Sequence, residues 1–87
     1  MLHIIKSETG YQSARQYLNQ GDDVLLIESA SYIPTTTELD DRCGHYSLKE
    51  DLVARGLSIE STERTQVVDF NGFVDLTERH VASTTWE

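Results

Sequence analysis

Cys43 is the only side chain in the sequence with the makings of a strong nucleophile. It stands in Asp40-Asp41-Arg42-Cys43-Gly44-His45, where Arg42 and His45 would favour a thiolate and the two aspartates would oppose one. Reactive thiols need an electropositive, accessible setting, so this mixture of charges reads as an inert cysteine, the commoner state of a lone thiol. A single cysteine also excludes an internal disulfide and a four-cysteine zinc site. His3, His45 and His80 have no short spacing that would bring them together on a metal. His3, within an apolar stretch, reads as a hydrogen-bonded core histidine, and His80 as a cation closing a helix. The carboxylate pairs Asp22-Asp23, Asp40-Asp41 and Glu50-Asp51 flank predicted elements, where caps and solvated turns account for them without acid–base catalysis. Lys6-Ser7-Glu8-Thr9-Gly10 has one glycine and a carboxylate and lacks the backbone nest that cradles a pyrophosphate. No metal and no cofactor is expected.

The elements that must position these residues follow from the apolar pattern. Leu2-His3-Ile4-Ile5 is a short strand, and Tyr11, Ala14, Tyr17 and Leu18 recur at helical spacing, predicting a helix from Tyr11 to Gln20 closed by Gly21. Val24-Leu25-Leu26-Ile27 is apolar at every position, the habit of a central parallel strand covered on both faces. A short helix is expected near Pro34, because proline is tolerated in a first turn. Gly44–Leu48 reads as a third strand. Lys49–Arg55 reads as a helix with Glu50 and Asp51 at its start and Arg55 at its end, each charge at the dipole end that favours it. Gln66–Phe70 is a fourth strand. Asn71 is the expected cap of a helix striped by Phe73, Val74, Thr77 and Val81, and the tail from Ala82 to Glu87 would add an edge strand or lie across a neighbour. Alternating strands and helices give an α/β domain with a mainly parallel sheet. Working loops should then gather at the carboxyl ends of the strands: Lys6-Ser7-Glu8, Glu28-Ser29-Ala30, Leu48-Lys49-Glu50 and Phe70-Asn71.

Length and composition set the frame. The chain has 87 residues, seven basic against fifteen acidic side chains and a formal charge of −8. One domain spanning residues 1–87 is expected, small enough to be marginal alone. The acidity argues against direct, salt-driven nucleic-acid binding, which needs a lysine- and arginine-rich footprint. No apolar run approaches the roughly 20 residues of a membrane helix, and Met1–Ile5 is too short for a signal-peptide core, so a cytoplasmic protein is expected. The residues carry no catalytic constellation, which favours an interaction or assembly role over a free-standing enzyme.

The order of segments carries a resemblance. The opening Met1-Leu2-His3 leads to Gly21-Asp22-Asp23-Val24-Leu25-Leu26-Ile27-Glu28, then to Leu48-Lys49-Glu50-Asp51-Leu52-Val53-Ala54-Arg55-Gly56-Leu57. Val68-Asp69-Phe70-Asn71-Gly72-Phe73-Val74-Asp75-Leu76 and the terminal Trp86 follow. Together these segments resemble the TusB/DsrH family of sulfur-relay subunits over nearly the whole chain. The resemblance implies a small three-layer α/β subunit of the DsrE/F/H-like fold, with a mainly parallel four- or five-stranded sheet. It implies assembly with paralogous TusC/DsrF-like and TusD/DsrE-like subunits into a heterohexamer, without direct nucleic-acid binding or a membrane. The complex passes persulfide sulfur toward 2-thiouridine at the tRNA wobble position, or serves dissimilatory sulfur oxidation in its other branch. The principal sulfur-carrying cysteine lies on the TusD/DsrE-type partner.

Some DsrH-type members add a cysteine in the first helix; Tyr11–Gln20 has none, so the family's thiol role is not carried onto Cys43. The stretch between Ile27 and Gly44 is also shorter than the family's and interrupted by Pro34. The leading expectation is a non-catalytic subunit whose apolar surface, including Tyr32, Ile33 or Trp86, is buried against partners. The rival reading is a small sulfurtransferase that carries persulfide on Cys43 itself. A binding domain of flavodoxin-like shape is a third option, without a cofactor loop to support it.

Overall fold

The computed structural model describes residues Met1–Glu87. The strands are β1 (Leu2–Ile5), β2 (Asp23–Leu26), β3 (Gly44–Leu48), β4 (Gln66–Val68) and β5 (Ser83–Trp86), and the helices are α1 (Glu8–Ala14), α2 (Ile33–Thr36), α3 (Lys49–Ala54) and α4 (Phe70–Arg79). The five strands form one sheet in the order β4-β3-β2-β1-β5. Every pairing is parallel.

Register and packing place the layers. His3, Ile5, Val24 and Leu26 point to one face, where Tyr11, Ala14 and Leu18 of the first helical segment and Ala30 and Ile33 complete the larger core. Leu2 and Leu25 point to the other face and meet Leu76 of α4 in a second, smaller core. Successive right-handed crossovers β1–α1–β2–α2–β3–α3–β4 step one way along the sheet. The last, through α4, returns to the far side of β1 and so crosses the opposite face. The result is a three-layer α/β fold with three helices on one side and one on the other. Val24, Leu25 and Leu26 are all completely buried, as their uninterrupted apolar run implies for the middle strand of five.

Several boundaries differ from the expectation. The first helix starts at Glu8 because the Ser7 hydroxyl caps it by accepting from the Gly10 N–H, and it ends in a 3-10 turn at Arg15–Tyr17. Asp69, and not Asn71, caps α4, accepting from the Gly72 N–H. That cap stops β4 at Val68 and leaves Phe70 in the first turn of the helix. Val81 falls beyond the helix and is fully exposed, so it takes no part in the α4 stripe. The region after β2 is a 3-10 turn at Glu28–Tyr32 running into the single α-helical turn of α2, with Pro34 in its first positions. Ile33 lies in the chain's own core and Trp86 packs against it, which leaves only Tyr32 of the three residues assigned to a partner surface substantially exposed.

Candidate functional site

In an open parallel sheet the ligand crevice forms at the carboxyl ends of strands where the winding reverses, here between β1 and β5. The chain fills that crevice with its own end. The Lys6 N–H donates to the Trp86 carbonyl at 3.0 Å, and the Ser7 hydroxyl donates to the Glu87 carbonyl at 3.1 Å. Lys6 Nζ lies 3.3 Å from Glu87 and 3.5 Å from Glu28. Glu28 itself has φ +51°, and its N–H donates to an Asp51 carboxylate oxygen at 2.6 Å. A left-handed conformation at a non-glycine residue costs about 1–2 kcal/mol, and the Asp51 bond helps to hold it. The loops after β1, β2 and β3 are thus tied to one another rather than open, while none of these bonds reaches Phe70-Asn71.

The histidines are structural participants. His3 is buried, its Nε2 is 3.0 Å from Asp22, and its Nδ1 accepts the Trp86 indole N–H at 3.1 Å. Accepting at Nδ1 puts the ring proton on Nε2, where it donates to Asp22. Asp22 also takes the Met1 amino group at 2.9 Å and the Asn19 N–H at 3.1 Å. Burial pushes the Asp22 carboxyl up, but these donors outweigh it and bring it down to about 2. Asp22 is therefore an organising anion beneath the sheet, where the sequence had pointed only to a turn carboxylate. Its neighbour Asp23 pairs with His80 at 2.7 Å on the opposite face.

A second relay surrounds the thiol. The Asp40 N–H donates to the Tyr11 hydroxyl at 3.0 Å, and Tyr11 lies 2.9 Å from His45 Nε2. His45 Nδ1 is 3.1 Å from the Cys43 carbonyl, so it carries the proton and Nε2 accepts from tyrosine. Burial pushes His45 below its ordinary value and Tyr11 above its own, which favours these neutral forms. Asp40 is brought down to about 2, foremost by the hydrogen bonds of Arg42 against an opposing cost of burial. Cys43 is only 9% exposed, and its Sγ lies 3.4 Å from the Asn19 carbonyl. Burial first, then the charges of Asp22 and Asp40, push its thiol up to about 11, with Arg42 opposing. The Arg42 guanidinium grips Asp40 at 2.6 Å and leaves little positive field for the sulfur.

Two cavities flank this region. One, of about 520 Å³, borders Cys43 and His45 at the start of β3. The other, of about 570 Å³, lies over β3 and β4 between the Ser31–Leu39 stretch and the loop that precedes β4. Ser31, Ser47 and Thr65 are buried beside it. Strand alternation puts Ser47 and His45 on one face; no local signal marks the other two. No group of three or more His, Cys, Asp or Glu side chains is arranged to hold a metal ion. No helix is long and apolar enough to cross a membrane.

Comparison with known proteins agrees with this geometry. Protein TusB of Photorhabdus laumondii is 35% identical over 79 residues, covering 79% of each chain. Protein TusB of Buchnera aphidicola is 30% identical over 95 aligned positions, covering 99% of this chain and all of that one. The solution NMR structure of protein Tm0979 from Thermotoga maritima superposes with a TM-score of 0.71 at 21% identity, covering 92% of this chain and 94% of the other, which shows the fold. Residues 6–83 match the family model described as DsrH like protein, and the chain belongs to the DsrH family.

Proposed function

We propose that the chain is a non-catalytic subunit of a TusBCD-like sulfur-relay complex that passes persulfide sulfur toward 2-thiolation of the tRNA wobble uridine. The observation that carries this reading is the state of its one thiol. A sulfur carrier needs an accessible thiolate. Cys43 is buried, bonded to a backbone carbonyl and held in the thiol form. The relatives named TusB support the relay branch. The reading assigns the transferring cysteine to a TusD-like partner and leaves this chain the work of assembly in the cytoplasm. The outer side of α4, where Phe70 is 62% exposed, offers apolar surface for a partner to cover. With a formal charge of −8, the chain leaves the positive surface for tRNA to its partners.

Co-expression tests it. The tagged chain should draw down TusC-like and TusD-like subunits at equal stoichiometry, and deleting it should abolish 2-thiouridine in bulk tRNA. A chain that stays monomeric beside both paralogues, or a deletion that leaves the modification intact, overturns the reading.

A further inference from the structure

The two edges of the sheet end differently. On β4 the chain's own loop closes the edge. The Val67 N–H donates to the Ser61 hydroxyl at 2.9 Å, the Thr65 N–H donates to the Thr62 hydroxyl at 3.1 Å, and the Thr65 carbonyl accepts from the Thr62 N–H at 2.8 Å. On β5 nothing does so. The Ala82 and Trp86 carbonyls accept from the Leu2 and Lys6 N–H groups at 3.1 and 3.0 Å, so strand alternation turns the main chain of Ser83 and Thr85 away from β1. β5 is the last strand of the sheet, and no bond from elsewhere in the molecule reaches those main-chain groups. An open edge of this kind is a template for a further strand, and natural edges are blunted by lysine, proline or a bulge. Ser83-Thr84-Thr85-Trp86 has none of these.

The surface beside this edge carries no acid. Val81–Trp86 holds no charged residue, and Thr9–Gly21 holds only Arg15, half-buried with its guanidinium 5.6 Å from the centre of the Tyr11 ring. The two segments meet where Tyr17, 58% exposed, stacks on Trp86 at 5.6 Å. None of the chain's fifteen acidic residues falls inside either segment. Glu87 borders them and is paired with Lys6 at 3.3 Å. That distribution selects the occupant. Two copies of a chain of charge −8 repel one another, and on this face they can meet without opposing carboxylates. A basic partner would be drawn to the acidic faces instead. We infer that β5 pairs with β5 of a second copy of this chain, antiparallel across a two-fold axis. The register that uses every outward group of the strand sets Ser83 opposite the partner's Thr85, each such pair exchanging both main-chain hydrogen bonds, with Thr84 on the axis. The Tyr17–Trp86 stack lies beside the pairing and supplies aromatic area to it. The pairing does not rest on the sulfur-relay reading.

The test is the oligomeric state of the whole purified chain, followed by sedimentation velocity from about 1 to 500 μM and by NMR amide exchange at about 50 and 500 μM. A dimer is expected within that range, with the Ser83 and Thr85 amides exchanging more slowly at the higher concentration. Thr85→Asp and Ser83→Asp each place an acid at the pairing and should raise the dissociation constant at least about tenfold. Both side chains are exposed, so Tm at about 1 μM should stay near that of the parent. Gln66→Asp adds the same charge on the closed β4 edge and should leave the dimer unchanged. The proposal fails if the chain is monomeric throughout, or if a dimer forms while the Ser83 and Thr85 amides exchange alike at both concentrations. It fails also if Gln66→Asp weakens the dimer as much as Thr85→Asp does. Protection of those amides only on adding a different subunit would give the edge to another chain and overturn the assignment.

Discussion

A Cβ on Gly10 would lie 2.8 Å from the carbonyl oxygen of Trp86 and 3.0 Å from its carbonyl carbon, so the start of α1 and the end of β5 touch backbone to backbone. That contact lets the Lys6 N–H and the Ser7 hydroxyl reach the last two residues and seal the crevice beside β1. Gly10→Ala sets two effects against each other. Alanine in a helix is worth up to about 1 kcal/mol over glycine, but both atoms it meets are main chain and cannot rotate away. The clash should win, with a net loss of about 1–3 kcal/mol. Thermal melting should show a lower Tm, and the amides of Ser83–Trp86 should exchange faster. A variant as stable as the parent, with β5 still protected, would count against the contact.

Trp86 is joined to His3 by more than packing. Trp86→Phe keeps most of the ring yet removes the donor at 3.1 Å from His3 Nδ1, leaving an acceptor inside a residue that is 1% exposed. The expected cost is about 1–3 kcal/mol, and the change should be strongly non-additive with His3→Leu, which removes the acceptor. Urea denaturation followed by circular dichroism supplies the double-mutant cycle; simple additivity would mean that the indole bond contributes nothing.

The central strand and the alternation of elements were legible because they rest on periodicity, which a few consecutive residues display. The unbroken apolar run Val24–Leu26 is such a local pattern, and Gly56 at positive φ follows the end of α3 as expected; Gly21, also at positive φ, does not close the first helix, which ends at Tyr17, and lies in the turn before β2. The caps were less legible. Asp69 and Asn71 are both good capping residues, and the choice between them depends on where β4 stops, which is a matter of sheet length. The buried polar relays were not legible at all. Asp22 looks like one more turn aspartate until the topology brings Met1 and His3, the latter 19 positions away, to its side, with Trp86 bonded to the other nitrogen of His3. The hydroxyls of Ser31 and Thr65 have no sequence signal, since what distinguishes them is a missing partner.

Those relays make the fold sensitive to acid in two steps. His45 has a lowered folded-state value, so below its ordinary value of 6.5 the unfolded chain binds a proton that the folded chain refuses, and stability falls as pH drops. Asp22 has a carboxyl lowered from 3.8 to about 2, so its contribution is present above 3.8 and is lost as pH falls toward 2. After solvent screening that contribution is roughly 1–2 kcal/mol. Urea midpoints measured from pH 8 down to pH 2 should decline in both windows. His45→Gln should flatten the upper one, and Asp22→Asn should lessen the lower one, which Asp40, also brought down to about 2, shares. A variant that keeps the slope it should have lost would remove its group from the account.

The thiol offers a test that separates structural support from chemistry. With its value pushed up to about 11, Cys43 holds far less thiolate near neutrality than an ordinary cysteine of about 8.5. Burial beneath the Asn19 carbonyl adds a steric barrier. Labelling of the native chain by an aromatic disulfide reagent at pH 7.5 should be roughly 10²–10³-fold slower than for an unfolded control in urea. The rate should climb about tenfold per pH unit through pH 9, because the thiolate is the attacking species. Cys43→Ser should leave sulfur transfer through a reconstituted relay unchanged, whatever it does to stability. Native labelling as fast as the urea control, together with loss of transfer in the serine variant, would make Cys43 the sulfur carrier.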